Sequence, residues 1–538
     1  MNSLIAISTV LFLCERVRTV QSCSLNLESA RDDILAAFKS SPERFVVHEG
    51  SMWMFDFDQI PPDCSDCGNA NPASTYGCPR FAETAPRFSR SRVAEPRRVR
   101  AMRDDEIHQS LDRLDSPNID FAKITSSAAA TARGVLPLSC EWPLREDEAV
   151  VLYGCTPDTM AYFAITPYLY TISPRTPTES LVFASLGDSF SLAQNDRGDS
   201  AFSRLSTELA ILQDGLIHRS TKAPWNASFA LVLSRNRQVL DVTANALRAR
   251  GMAVNTFGIP PPPAGATMDS TYTVLLRGAV PLSKESWSEW MRDPRLSAVR
   301  LIVKDVVARD VFQPPTLITR QTVDETGFAA THDALVSAVR AHVASAPGRS
   351  AVVSRSPRPQ LVADNSNACV LSRINCGGDN RDTNYIRSSS ITLANDEDIA
   401  FAVGFLHTAS GNAHYTSLAL YSQSRRLAVV SVEDAELRGT ANDWLGGDQS
   451  ALENFYVVAF ARDCSAHVLP YRTPCVDVPS VGFPSVALSE AVQLWERPYS
   501  TVATTIGPWW RSLILPAVVV SVPAAAAPPP PSWTWSCF

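Results

Sequence analysis

No stretch of this chain is both long and apolar enough to cross a membrane as a helix, which takes about 20 residues. The C-terminal run from Leu513 to Ala527, in "SLILPAVVVSVPAAAAPPPPSWTWSCF", is broken by Pro516 and Pro523 and runs into polyproline. A loosely packed tail is expected there rather than an anchor. Positive charge is also short: 48 Lys and Arg face 55 Asp and Glu, for a formal net charge of -7. That balance excludes a nucleic-acid partner, which needs a basic surface to neutralise phosphates. Cys64-x-x-Cys67 has no second Cys-x-x-Cys or Cys-x-His to complete a zinc site, so disulfides lead and zinc is the lesser reading of "CSDCGNANPASTYGC". No repeat of fixed period is present, which sets solenoids aside. No cofactor is implied.

What the chain does contain is enough apolar residue, 45% of 538, to bury two to four domain-sized cores. The segment "SLIAISTVLFLC", followed by small residues before Cys23, reads as a secretory signal peptide, although its n-region lacks Lys and Arg. Lipidation of Cys23 is the alternative. Twelve cysteines agree with export to an oxidising compartment, and their spacing predicts the local pairs Cys140 with Cys155, Cys369 with Cys376 and Cys464 with Cys475. Asn226-Ala227-Ser228 is a glycosylation sequon.

Along the chain, "NLESARDDILAAFKSS" has helical spacing, and the Arg-rich 86–103 stretch, with Arg97-Arg98, reads as a solvated connector. From Glu148 to Asp310, apolar runs such as "LVFASL", "FALVLS", "YTVLLRGAV" and "AVRLIVKDVV" alternate with helical patterns. Those patterns are "FSRLSTELAILQDGLIH", "RQVLDVTANALRARG" closing on Gly251, and "SKESWSEWM". Beyond "HDALVSAVRAHVA", residues 388–464 hold short strands between polar turns. The fold class expected is α/β, a mixed, partly parallel sheet with flanking helices, followed by a mainly antiparallel β region, the whole stapled by disulfides. The organisation expected is a signal peptide over 1–22, a helix and Cys-rich loop over 23–85, a connector over 86–135, an α/β domain over 136–347, a β-rich region packed on it over 348–480, and a C-terminal segment over 481–538.

Two constellations carry candidate chemistry. In "SLVFASLGDSFSLAQ" an apolar strand ends in Gly187-Asp188-Ser189, which can expose a serine hydroxyl at a sheet edge. A nucleophilic serine needs a base and an orienting carboxylate. His407 is the base considered for Ser189, with Asp382 orienting it, and Asp188 beside the serine completes the catalytic set. The plainer reading of Gly-Asp-Ser is a turn whose side chains cap the backbone. The second constellation, "CGGDNRDTNY" and "VGFLHTASGNAHYTSLALY", adds Asp379 and the binding candidates Asn380, Arg381, His414 and Tyr415. His407 and His414, seven apart, match no short metal-ligand motif, so no metal is assigned.

The stretch "LVFASLGDSFS" resembles the first block of the GDSL/SGNH hydrolases, which implies Ser189 as nucleophile. That family's remaining blocks are echoed, each with one residue too many, by Gly439-Thr440-Ala441-Asn442-Asp443 and by Asp463-Cys464-Ser465-Ala466-His467. The ordered segments "VVLYGCTPDTMAYFAITPYLY", "VFASLGDSF", "DNRDTNY" and "GFLHTASGNAHYTSLALY" also resemble a group of uncharacterised extracytoplasmic proteins over 138–475. This implies one composite architecture and no known activity. The function expected is a secreted surface or ligand-binding protein with an unknown extracellular partner. The alternative is a GDSL-like extracellular serine esterase in which His407 or His467 serves Ser189.

Overall fold

Strands dominate the computed structural model of the chain, which describes residues 27–55, 74–82, 138–172, 181–186, 189–191, 210–213, 216–219, 225, 228–250, 254–259, 270–306, 323–355, 359–361, 370–425, 427–446, 452–470, 472–482, 484–501, 504 and 506–523. In the first half, an outer sheet runs in the order β12 (Asn255–Gly258), β11 (Ser228–Ser234), β5 (Glu148–Cys155), β14 (Leu296–Val303) and β1 (Phe45–Phe55). Strand β1 bends from one sheet into the next: residues 45–49 pair with β14, and residues 50–55 pair with β2 (Ser74–Ala82). Gly50 sits at the bend, where an added Cβ would lie 2.5 Å from the Phe81 ring. The inner sheet continues through β13 (Thr271–Pro281), β6 (Met160–Thr171) and β7 (Leu181–Ser185), with the short β3 (Leu138–Ser139), β4 (Trp142–Pro143) and β8 (Phe190–Ser191) on its flanks.

Strand β5 shows how the layers stack. Ala149, Val151 and Tyr153 face helices α1 (Leu27–Lys39) and α2 (Arg237–Arg248), against Phe38, Val239 and Leu247. Val150 and Leu152 face the inner sheet, against Phe163, Ile165 and Leu276. Asn236 caps α2 by accepting from the Gln238 N–H at 2.9 Å. Helix α3 (Lys284–Arg292) is capped by Ser283, and its Trp287 and Trp290 lie against the inter-sheet core.

The second half repeats these layers. Its outer sheet is β15 (Arg349–Arg355), β25 (Ala517–Pro523), β19 (Ile399–Phe405), β22 (Phe455–Ala461) and β23 (Cys475–Asp477). Helix α4 (Ala329–Ser345) covers the outer face through Leu335, Val336, Val339 and Val343. The inner sheet is β16 (Pro359–Leu361), β17 (Tyr385–Arg387), β24 (Ala491–Tyr499), β20 (Tyr415–Ser422) and β21 (Leu427–Glu433), with β18 (Ile391–Thr392) beside β24. A one-turn helix, α5 (Asp434–Leu437), follows β21.

The two halves use one topology twice. In each, a helix precedes an edge strand of the outer sheet, α1 and β1 or α4 and β15. A central outer strand, β5 or β19, then passes into an inner strand, β6 or β20, that pairs with the next, β7 or β21. An outer strand returns antiparallel to the central one, β11 or β22, and takes a parallel neighbour, β12 or β23. The last inner and outer strands, β13 and β14 or β24 and β25, close each unit. The inner sheets meet where Tyr162, Ala164 and Ala279 pack on Tyr415 and Tyr499.

The layering accounts for the differences from the sequence expectation. Parallel pairing is confined to β11–β12 and β22–β23 among the described residues. The continuous apolar runs arise because stacked sheets and helices bury both faces of the central strands, an effect that in a sequence resembles a parallel sheet. The helical pattern expected over "FSRLSTELAILQDGLIH" holds a hairpin instead, β9 (Ala210–Gln213) and β10 (Leu216–Arg219), flanking Asp214-Gly215, a strong hairpin signal. Helix α2 ends at Arg248 with Ala249 as its C-cap, short of Gly251. Residues 27–55 belong to the first half's sheets, and α4 belongs to the second half, so the boundary falls before α4 rather than at 347. The apolar C-terminal run is no loose tail over 517–523, where β25 lies between β15 and β19.

Two disulfides are defined, Cys78–Cys140 and Cys464–Cys475. The second is the local pair expected. The first corrects the pairing of Cys140 with Cys155: Cys78 on β2 reaches Cys140 just after β3, which pairs with β2. Cys155 and Cys376 each take part in a further disulfide. Cys369, Cys64, Cys67, Asn226, Asp188, the signal segment and the Arg-rich stretch lie outside the described residues. Among the described residues, no helix is long and apolar enough to cross a membrane.

Candidate functional site

The seam between the inner sheets gathers most of the polar residues singled out in the sequence. The segment that reaches it is clamped to β7: the Cys376 N–H donates to Val182 O at 2.8 Å, and the Gly378 N–H donates to Phe183 O at 2.9 Å. Gly378 has φ +67°, and an added Cβ would lie 2.5 Å from the Phe183 ring, so glycine is required by both conformation and space. Phe183 itself has a φ of 33°, a strained value for a bulky residue. Asp379 then accepts from the Ser185 N–H at 2.8 Å and the Ser185 hydroxyl at 3.0 Å. Burial pushes the Asp379 carboxyl up to about 6, against the lowering effects of those hydrogen bonds and of Arg277 and Arg381.

Beyond Asp379 a continuous polar chain crosses the seam. Ser189, buried, lies 2.7 Å from the Thr166 hydroxyl and donates to Asn380 Oδ1 at 3.2 Å. Asn380 Nδ2 donates to Tyr162 Oη at 2.8 Å, and Tyr162 Oη donates to Asp382 Oδ2 at 2.6 Å. Burial first, then the Asp382 charge, hold the Tyr162 hydroxyl well above its ordinary pKa. The Tyr162 ring tilts against Tyr499 at 4.6 Å, and Tyr499 stacks on Tyr415 at 5.2 Å. The structure therefore brings Ser189, Asn380, Asp382 and Tyr415 into one cluster, with Arg381 partly exposed beside it. Two residues that sequence reasoning missed complete it.

These are Arg277 and Arg497, which occupy equivalent places in the two units. Arg277 on β13 lies opposite Ala164 on β6, and Tyr168 follows four residues later. Arg497 on β24 lies opposite Ser417 on β20, and Tyr421 follows four residues later. Each guanidinium covers the matching ring, at 5.4 Å for Tyr168 and 5.1 Å for Tyr421. On the other side, β2 sets Tyr76 opposite Arg277, while the Ile386–Glu496 pairing sets Tyr385 level with Arg497, 4.8 Å beneath its guanidinium. Burial opposes the charge of both arginines, and Tyr76 and Tyr385 are neighbours of both. Arg277 makes no ion pair with a carboxylate among the described residues, and its Nη2 donates to Gly378 O at 2.7 Å. The Tyr168 hydroxyl and Trp495 Nε1 are buried without a hydrogen-bond partner among the described residues. The sequence signal for Arg277 was a lone arginine inside an apolar strand, "TVLLRGAV", whereas Arg497 stands beside Glu496 in "LWERPY".

His407 lies elsewhere, which corrects its pairing with Ser189. It follows β19, an outer-sheet strand of the second half, whereas Ser189 lies at the edge of the first half's inner sheet. Fully buried, its Nδ1 faces the Glu325 carboxylate at 3.0 and 3.1 Å and its Nε2 faces Glu496 Oε2 at 3.3 Å. Burial works against the imidazolium, but Glu496 and Glu325 outweigh it and raise the group to about 10. Asp382 accepts from Tyr162 and does not orient His407. His414 is exposed, and His467 Nε2 lies 3.1 Å from Asp396 O. Thr440, in the first hydrolase-like echo, accepts from the Val457 N–H at 3.0 Å. Among the described residues, no imidazole is hydrogen-bonded to Ser189, whose hydroxyl meets Thr166 and Asn380. Among the described residues, no group of three His, Cys, Asp or Glu side chains is placed to hold a metal.

No protein-family model matches the chain, and no curated protein matches it. Among solved structures, an uncharacterised protein from Burkholderia cenocepacia aligns with 95% of this chain and 94% of its own, at 12% identity and a TM-score of 0.36.

Proposed function

We propose that the chain is an extracellular ligand-binding protein that takes a small molecule between its two inner sheets, beside the chain Ser189–Asn380–Tyr162–Asp382. The observation that carries this reading is Arg277, a buried cation without a carboxylate ion-pair partner among the described residues, at the junction of two units that each have their own apolar cores. Burying a charge that way costs several kcal/mol, which an apolar join would avoid. Pocket sites characteristically converge a few polar groups on an aromatic wall, and here Tyr76, Tyr162, Tyr168, Tyr385, Tyr421 and Tyr499 form that wall. Secretion agrees with the disulfides.

Tyr162→Phe tests the reading, because it removes two hydrogen bonds at the centre of the seam and little volume. Protein purified from its secreting host is denatured, and the molecules it releases are identified by mass spectrometry. The expected result is a small molecule released by the wild type and reduced about tenfold or more in the variant, the loss that 1.4 kcal/mol of binding represents. Identical release from both proteins would overturn it.

A further inference from the structure

We propose that the outer edge of β15 is a self-association surface, on which two copies of the chain pair their β15 strands antiparallel about a two-fold axis at Val352. This surface is separate from the seam. Among the described residues the second half's outer sheet ends at β15, which pairs with β25 on one side. An open edge presents a row of N–H and C=O groups that can template a further strand, and proteins usually blunt such edges with charge, proline, bulges or bends. Between its terminal arginines β15 has none of these: the strand is Arg349-Ser350-Ala351-Val352-Val353-Ser354-Arg355, and its register with β25 is unbroken. The equivalent edge in the first half is blunted. There β1 leaves the outer sheet after Glu49, an exposed charge, and bends at Gly50 into the inner sheet.

A second copy is the occupant because the strand is nearly symmetric about Val352, and a two-fold interface must complement itself. Antiparallel pairing centred there sets Ser350 against Ser354 of the second copy and Ala351 against Val353 of the second copy. Val352 lies opposite Val520, a member of the core between the second half's sheets, so its side chain stands at the rim of that core. It is 52% exposed, and its equivalent across the axis covers it. The same pairing sets Arg349 against Arg355 of the second copy, a like-charge contact that each chain offsets in advance: Arg349 bonds Asp398 at 2.5 Å, and Arg355 bonds Asp333 at 2.8 Å. The Arg349 N–H donates to Ala346 O rather than to β25. By alternation the N–H groups of Ala351 and Val353 point outward, and the two copies of Val352 form a non-hydrogen-bonded pair with Cα atoms about 4.5 Å apart.

Sedimentation velocity of the full chain, from about 1 μM to 1 mM, tests this and is expected to show a concentration-dependent monomer–dimer equilibrium. Val352→Lys puts like charges face to face at the axis and is expected to weaken the dimer about tenfold or more. Because Val352 is half exposed in the single chain, that variant is expected to unfold in urea as the wild type does. Val352→Cys guards against a folding failure. Under oxidising conditions it is expected to give a disulfide-linked dimer, since the Cα spacing across the axis lies within disulfide range. Leu282→Cys, at a more exposed position just after β13 in the first half, is expected to give none. A wild type that is monomeric throughout, a dimer unchanged by a folded Val352→Lys, or equal cross-linking of the two cysteine variants would overturn the inference.

Discussion

Glu325→Ala is expected to lower the unfolding free energy by about 3–5 kcal/mol, the range for removing one member of a buried ion pair. Glu325 is fully buried and accepts from four groups: His407 Nδ1, Ser410 Oγ at 2.6 Å, Asn412 Nδ2 at 2.8 Å and the Ile514 N–H at 2.9 Å. Its own N–H donates to Ser512 O at 2.9 Å. One carboxylate thus fastens the segment before α4 to the loop after β19 and to the approach to β25. Removing it orphans the Ile514 N–H and leaves His407 with Glu496 alone. Glu325→Gln, which keeps the size but loses the charge, is expected to fall between the two. Urea unfolding at unchanged m-value reads the effect. A loss under about 1 kcal/mol, the scale of a surface ion pair, would contradict the buried-clasp account.

Stability is expected to fall as pH rises from 5 to 8, by about 6 kcal/mol, about 4 of it from two carboxyls and about 2 from His407. Burial raises Asp379 to about 6 and Asp434 to about 7. Both lie above the ordinary value near 3.9. An acid raised on folding binds its proton more tightly in the folded state. Its contribution is full below the ordinary value and is lost as pH climbs through the folded one. Above pH 5 about one unit remains to be lost for Asp379 and about two for Asp434, at about 1.4 kcal/mol per unit. His407, raised to about 10, adds a loss of the same sign that begins above its ordinary value near 6.5. Glu325 acts oppositely: burial raises its pKa, but His407 and its hydrogen bonds lower it further, so its contribution fades only in acid. Denaturant unfolding at pH 5 and pH 8 measures the difference, and Asp434→Asn is expected to flatten the slope. Stability that is level or rising across this interval would contradict the account.

The elements were largely legible because the central strands are buried on both faces and read as unbroken apolar runs, as in "IAFAVGFLH" and "FYVVAFA". Their order in layers was not legible. The duplication is held in strand order and register, and among the site residues it leaves one recurring trace in side chains, an arginine beside two tyrosines. The Gly-Asp-Ser strand and the "DNRDTNY" segment were rightly brought together, since Ser189 bonds Asn380 and Asn380 bonds Tyr162. The histidine assignment failed because β19 and β20, adjacent in sequence, lie in different sheets. His407 is thereby turned toward Glu325 and Glu496 while Tyr415 reaches the seam. Arg277 and Arg497 were missed because sequence periodicity marks a strand without showing that its inward face meets a second sheet.

The account holds that Arg277 serves a ligand rather than the fold, and urea unfolding of ligand-free Arg277→Met tests that directly. Apolar replacements for buried charges often leave a protein equally stable or stabilise it by about 1–4 kcal/mol, and that outcome is predicted here. A loss above about 3 kcal/mol would show that the Arg277 cation holds the halves together, and would contradict a binding seam.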